Sequence, residues 1–175
     1  MRQVTGTAAA AAYWLLGARA VAAQRVDPAW LQVRPETKTA EFQLIAGLTG
    51  LNGALNFNGF RDGGLTLMVP RGWQVVMRFR NNDGMLPHSA EVIADTRPLP
   101  AGPVPSAFDR AFTTRLSQGL PPQGEDEMRF AASKAGSFLI FCAVPGHGTQ
   151  GMWIRFKVSD KVHTPSVTAT KAVGS

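Results

Sequence analysis

The sequence predicts an all-β protein, a Greek-key β sandwich with a short helical, proline-rich insert. Three observations support this fold class. Hydrophobic and polar residues alternate along short segments, glycine and proline turns separate these segments, and phenylalanine (10) outnumbers tyrosine (1). Because 45% of the residues are hydrophobic and only 17% are charged, the chain can bury a core, and wholesale disorder is excluded.

The first 23 residues are predicted to be a signal peptide. Arg2 supplies a positive charge, residues 6–18 are apolar, and the small residues at 20–23 offer cleavage sites. The apolar run is shorter than the roughly 20 residues that cross a bilayer, and Arg19 interrupts it. The alternatives are an uncleaved N-terminal anchor or a buried helix. We therefore expect export to the periplasm or another extracytoplasmic location, with membrane association if the anchor is retained.

The remaining chain is predicted to comprise an N-terminal segment (24–38), one β domain (39–159) and a mobile tail (160–175). Period-two alternation is clear in residues 75–80, where Val75, Met77 and Phe79 share one face and Arg78 and Arg80 share the other. The tail is rich in Ser, Thr and Lys and poor in apolar residues. The predicted strands are 42–45, 53–57, 65–69, 75–80, 89–93, 127–131, 137–142 and 152–158.

A proline-rich insert is predicted between residues 98 and 123, where half of the 12 prolines lie. Within it, Phe108, Phe112 and Leu116 recur at every fourth position, and Ser106 is a suitable N-cap. This spacing predicts a short helix.

The net charge of +6 limits the classes of partner. No run of five basic residues occurs, so nucleic acid is not an expected partner, and a diffuse positive field favours an acidic protein. Cys142 is the single cysteine, which excludes an intrachain disulfide, a Cys-x-x-Cys redox pair, a structural zinc finger and a two-thiolate copper centre.

One loop carries the residues with metal chemistry. Cys142 ends a hydrophobic strand, His147 follows a Pro-Gly turn, and Met152 begins the next strand, with four residues in each gap. His88, at the start of another strand, is the candidate fourth ligand. Two imidazoles, a thiolate and a weak axial thioether form a type 1 copper site.

Each of these residues also has an ordinary explanation. A lone cysteine in a strand is usually a small buried hydrophobe, a lone loop histidine is usually a surface residue, and Met152 fits the core pattern of its strand. The ordered combination of Cys142, His147 and Met152 around the Pro-Gly turn favours copper. His163 keeps the ordinary explanation of a tail residue.

These motifs resemble those of the cupredoxins, and within that family those of the sulfocyanins. The matching segments are Cys142 to His147, Gly151 to Trp153, Asn56 to Gly59, Val69 to Trp73, and His88 with Ser89. The resemblance covers residues 42–158. It implies a β sandwich, one copper, and soluble or membrane-tethered electron transfer. Phe60 departs from the family pattern, which has a small hydroxyl residue there.

The predicted function is type 1 blue-copper electron transfer between redox proteins outside the cytoplasm, by a monomer without enzymatic activity. Its partners would be a donor or acceptor of a respiratory chain. The alternative is a copper-binding protein for delivery or storage. A Cys-His hydrolase is disfavoured because both candidate bases, His88 and His147, would be consumed by the metal.

The sequence also predicts which residues surround the copper ligands. Phe57, Met85, Phe141 and Trp153 are expected to bury the copper. The Val144 N–H is expected to donate to the Cys142 sulfur, and Asn82 and Ser89 to connect the His88 and Cys142 loops. Electron exit is expected through His147, framed by Met85, Leu86 and Pro87.

Overall fold

The structure is a computed structural model that describes residues 25–170. The predicted signal peptide, residues 1–23, lies outside this range. Within residues 25–170, no helix is both long enough and apolar enough to cross a bilayer.

Residues 25–170 form a sandwich of two β-sheets, which confirms the predicted fold class. One sheet has the strand order β1-β2-β4-β6 and the other β5-β7-β8-β3-β9, so consecutive strands repeatedly cross between the sheets. The strands are β1 (Leu31–Arg34), β2 (Thr39–Ala46), β3 (Leu65–Pro70), β4 (Gln74–Asn81), β5 (Glu91–Ala94), β6 (Glu125–Ala131), β7 (Gly136–Phe141), β8 (Trp153–Ser159) and β9 (Ser166–Ala169). The helical turns in this range are the 3-10 turns Pro28–Trp30 and Pro35–Thr37.

The core lies between the sheets and is rich in phenylalanine. The alternation predicted for β4 is confirmed, because Val75, Met77 and Phe79 are buried and Arg78 is exposed. Four phenylalanine rings from β6, β7, β8 and the insert pack with centroid separations of 4.7 to 6.2 Å; they are Phe108, Phe130, Phe138 and Phe156. Because these rings come from the insert and from strands of both sheets, the cluster joins the insert to the sandwich. Burial of each such ring contributes about 1.5–3 kcal/mol to stability.

The short helix predicted around Phe108, Phe112 and Leu116 is wrong. Arg110 and Arg115 have φ values of 55° and 56°, which a helix does not accommodate. The backbone instead follows the free edge of β5: Val92 N–H donates to Ala111 O, and Thr113 N–H donates to Ala90 O, both at 2.9 Å. An edge strand has unpaired backbone groups, and residues 111–113 satisfy some of them through a short extended stretch between turns, which a helix could not do.

Both predicted ends of the β domain need correction. The segment before residue 39 contains β1, which pairs antiparallel with β2, and Trp30 is buried beside it. Residues 166–169 form β9 rather than a mobile tail, because they pair antiparallel with β3 and Val167 and Ala169 pack against the core.

The strand predicted at residues 53–57 is also wrong. Gly53 and Ala54 lie in a turn with positive φ, and Phe57 makes an isolated β-bridge with Ala46. Two asparagine side chains add to this short backbone pairing: Asn56 Oδ1 accepts from Gly59 N–H at 3.1 Å, and Asn58 Oδ1 accepts from Ile45 N–H at 3.0 Å. Side-chain amides that bind nearby backbone stabilise turns over strands.

Candidate metal centre

The structure brings three of the four predicted ligands together at one end of the sandwich. The ligand atoms of His88, Cys142 and His147 all lie within 4.8 Å of one another. Cys142 Sγ is 3.6 Å from His147 Nδ1, and the two imidazole rings are 5.2 Å apart between centroids. These distances place two nitrogen donors and one sulfur donor around a common point.

The loop between β7 and β8 is closed by its own backbone. Cys142 N–H donates to Met152 O at 3.1 Å, and Met152 N–H donates to His147 O at 3.1 Å. Met152 lies just before β8 and is fully buried. The chain must pass close to the Phe141 ring at Gly148, where a Cβ would lie 1.9 Å from a ring carbon. The fourth predicted ligand is thus joined by backbone hydrogen bonds to the other two residues of its loop.

His88 is held from a different part of the chain. The backbone N–H of His88 donates to Leu120 O at 3.1 Å, and the backbone N–H of Leu120 donates back to His88 O at 2.7 Å. This pair of bonds fixes the His88 backbone against the end of the insert. His88 is fully buried. The proline-rich insert therefore does more than cover the edge of β5, because it also fixes the position of one ligand.

The Cys142 sulfur lies in a fully buried position. Burial raises the pKa of the thiol to about 11, although hydrogen bonds from the Ser89 and Val144 N–H groups to the sulfur oppose this shift. Since the thiol keeps its proton at neutral pH, a metal cation must displace that proton to bind.

Both imidazoles are neutral near neutral pH. Burial, together with the neighbouring His88, lowers the pKa of His147 to about 4, although Asp83 opposes the shift. Burial also lowers the pKa of His88, although Asp83 opposes the effect. His88 Nδ1 is buried and has no hydrogen-bond partner within the described part of the chain. An unpartnered buried nitrogen is costly unless a further group binds it.

These features test whether the residues fit copper, and they do. A buried nitrogen without a partner, a neutral second imidazole and a shielded thiol form the donor set of a type 1 copper site. The buried thioether of Met152 adds a soft donor beside them, which zinc sites rarely use.

Two predictions about the surroundings need correction. Asn82 is exposed, and its neighbour Asn81 instead joins the segment before His88 to the end of the insert, because its Nδ2 donates to Leu86 O at 2.9 Å and Leu120 O at 3.0 Å. Extending the alternation of β4 from Phe79 by two residues would have identified Asn81 as the inward side chain. Met85 does not bury the site, because its side chain is 85% exposed.

The predicted link through Ser89 is observed, and the aromatic residues expected around the site are buried. Ser89 connects the two ligand segments, since its Oγ accepts from Ala143 N–H at 3.2 Å and donates to Leu116 O at 2.8 Å. Phe57, Phe141 and Trp153 are buried. His163 is exposed, as its ordinary explanation requires.

Sequence analysis missed Asp83. Its carboxylate is buried, and Oδ2 lies 3.0 Å from His88 Nε2. Burial raises the pKa of Asp83, but hydrogen bonds from Met85 N–H, His88 and Leu86 N–H together outweigh it and leave the pKa below its ordinary value. Its place in an Asn-Asn-Asp-Gly turn gave no signal beyond turn formation.

Comparison with known proteins identifies the family. The sulfocyanin (SoxE) domain model matches residues 28–169, which is most of the chain. The sulfocyanin of Sulfolobus acidocaldarius is 26% identical over 135 residues, covering 73% of this chain and 67% of that protein.

Solved structures support the same fold. Rusticyanin from Thiobacillus ferrooxidans aligns with a TM-score of 0.54 at 21% identity, covering 74% of this chain and 86% of that one. Reduced rusticyanin aligns with a TM-score of 0.51 at 21% identity, covering 70% and 85%. Together with the donor set, the family match shows that the cofactor is a type 1 copper. The chain belongs to the sulfocyanin family of blue copper cupredoxins.

Proposed function

We propose that this protein is an electron carrier in which His88, Cys142, His147 and Met152 hold one copper ion. Bound copper supplies a one-electron redox couple. The observation that carries the proposal is the convergence of two nitrogen donors and one sulfur donor within 4.8 Å, on segments whose backbones are hydrogen-bonded to one another. The protein has no reaction of its own to catalyse under this proposal.

The scaffold suits electron transfer because it holds the ligands in one arrangement. Leu120 fixes the His88 backbone, Ser89 fixes the Cys142 loop, and Met152 closes that loop. Groups locked by packing and hydrogen bonds change little when the charge of the site changes. Burial of Cys142 also disfavours the more highly charged oxidised state and so favours reduction.

Electron exit is proposed through His147, which is half-buried whereas His88 and Cys142 are fully buried. Met85, 85% exposed, and Leu86, 37% exposed, precede the His88 ligand and offer an apolar contact surface. The net charge of +6 favours an acidic redox protein, such as a donor or acceptor of a respiratory chain. We place this exchange outside the cytoplasm, with the protein acting as a monomer that is either released or held at the membrane by its N-terminus.

The first test is one visible spectrum of the metal-free protein after addition of Cu²⁺. The wild type should develop an intense thiolate-to-copper band, and Cys142→Ser should not, because a hydroxyl cannot supply that transition. His163→Gln is the matched control, since it removes an exposed histidine and should keep the band. A Cys142→Ser protein with the same band would contradict the proposal.

The second test separates electron transfer from copper delivery or storage. His147→Gly should open one face of the metal centre, and external imidazole should restore the band. Stopped-flow reduction by a small acidic redox protein should be fast for the wild type, slower at high salt, and slow in the rescued variant, because the added ring is not packed against the contact surface. Equal rates in the two proteins would refute His147 as the exit. Slow reduction of the wild type together with ready loss of Cu⁺ to a chelator would favour delivery.

A further inference from the structure

We propose that Asp83 is a positioning residue for the copper ligand His88: its carboxylate fixes the imidazole tautomer that leaves Nδ1 free to bind the metal. This inference rests on the proposed function, because it concerns how the protein prepares one ligand of that site. It gives a role to Asp83, a buried acidic residue that is not one of the four proposed ligands.

The geometry of Asp83 is fully determined by its contacts. Oδ1 accepts from Met85 N–H at 2.8 Å and from Leu86 N–H at 3.2 Å, and the Asp83 N–H donates to Asn81 Oδ1 at 3.0 Å. Oδ2 is then directed at His88 Nε2, 3.0 Å away. Asp83 is 7% exposed and His88 is fully buried, so bulk water does not compete strongly for this contact.

The contact determines where the imidazole hydrogen lies. A carboxylate only accepts hydrogen bonds, so His88 Nε2 must carry the hydrogen. A neutral imidazole has one N–H, which leaves the lone pair on Nδ1, the buried nitrogen without a partner among the described residues. Metal-binding histidines commonly have such an acceptor on their other nitrogen, which orients the ring and strengthens it as a donor.

The carboxylate also acts through its charge. A negative group 3.0 Å from the ring of a ligand stabilises the oxidised, more positive state of the centre more than the reduced state. Asp83 therefore opposes the effect of burial, which favours reduction. Removing the charge while keeping the shape should raise the reduction potential.

Asp83→Asn separates hydrogen-bond direction from size. If the amide oxygen keeps the bonds from Met85 and Leu86, the amide NH₂ faces His88 Nε2 and donates to it. Nε2 must then accept, which moves the ring hydrogen to Nδ1, where the metal has to bind. Asp83→Ala removes the acceptor without reversing the bond and should give a mixture of tautomers.

The test begins with nitrogen-15 NMR of the metal-free wild type, which reports the His88 tautomer before any copper is added. Hydrogen on Nε2 is expected, and hydrogen on Nδ1 would overturn the proposal without the need for a variant. In Asp83→Asn we expect the hydrogen on Nδ1, copper binding weaker by about 10- to 100-fold, and a raised potential by voltammetry.

Asp160→Asn is the charge-matched control, because Asp160 pairs with Arg71 just beyond the far end of β8 from Met152 and should change none of these readings. An Asp83→Asn protein with wild-type tautomer, affinity and potential would refute the role of Asp83. A wild type that shows the expected tautomer but no thiolate-to-copper band would instead refute the proposed function.

Discussion

Gly119 lies at the point where the insert meets both ligand-bearing segments, and Gly119→Ala tests whether that contact shapes the site. A Cβ at this position would lie 2.8 Å from His88 N, 2.9 Å from Pro87 C and 2.9 Å from Val144 Cγ2. Two of these atoms belong to the backbone, which cannot move aside as the end of a flexible side chain can. The methyl group must therefore displace the His88 segment, the Cys142 loop, or both.

The magnitude has two parts. Gly119 has φ +74°, and a left-handed conformation costs a non-glycine residue about 1–2 kcal/mol. Overpacking a tight contact adds about 1–3 kcal/mol, so we expect the free energy of unfolding to fall by about 2–5 kcal/mol. Gly72→Ala isolates the first part, because Gly72 has φ +84° and a Cβ there meets nothing within 4 Å.

Urea unfolding of the two metal-free variants, followed by tryptophan fluorescence, measures the difference. Gly119→Ala should be less stable than Gly72→Ala by about 1–3 kcal/mol, and its copper band should be shifted while that of Gly72→Ala is not. Equal losses of stability with unchanged bands would show that the insert does not constrain the ligands, and the reasoning would fail.

Three further predictions concern the axial ligand, a buried acid and the asparagine turn. Met152→Gln should keep copper but lower the reduction potential, because an amide oxygen is a harder donor that favours Cu²⁺; an unchanged or raised potential by voltammetry would contradict an axial role. Burial raises the pKa of Glu91 above its ordinary value of 4.5, so the folded protein holds this proton more tightly and the free energy of unfolding should decline as pH rises above 4.5. Glu91→Gln should flatten that decline in urea titrations at several pH values, and an unaltered slope would exclude Glu91 as its source. Asn58→Ala leaves Ile45 N–H and Gln43 O without their partner and should cost about 2–4 kcal/mol in the same assay, whereas a loss below about 1 kcal/mol would mean that water replaces the amide.

Local patterns predicted strands where buried residues recur at every second position, as along parts of β4 and β8. In β4, one face is buried and the other carries arginines, so the sequence alone gives both the strand and its orientation. The insert failed for the opposite reason. A spacing of four between Phe108 and Phe112 looks helical, yet Phe108 packs between the sheets and Phe112 is 43% exposed. The conformation of that segment depends on its pairing with the free edge of β5. The local sequence of the insert does not indicate this pairing.

Strand β9 shows the same limit at the other end of the chain. Residues 166–169 are too short and too polar to indicate a strand by themselves. Their stability comes from β3, which lies about 100 residues earlier and pairs with all four of them. Pairing over such a distance depends on the completed sandwich, so only the structure reveals it.

The metal centre divides in a similar way. Cys142, His147 and Met152 share one loop, so their spacing was readable from the sequence. His88 lies on a separate segment and was predicted from its position at the start of another strand, with support from the family resemblance. The role of Asp83 could not be predicted from the sequence. It depends on the turn, which occupies Oδ1 and leaves Oδ2 to face His88.

The residues around the ligands act on the reduction potential in opposite directions. Burial of Cys142 and the N–H donors of Ser89 and Val144 favour the reduced state, since they stabilise a low net charge and relieve the sulfur of electron density. Asp83 favours the oxidised state through its charge. The ligand set is therefore only part of what determines the potential of this carrier. Two chains with the same four ligands would differ in reduction potential if one had an amide where this protein has the Asp83 carboxylate. The residue five positions before the first histidine ligand would then distinguish them.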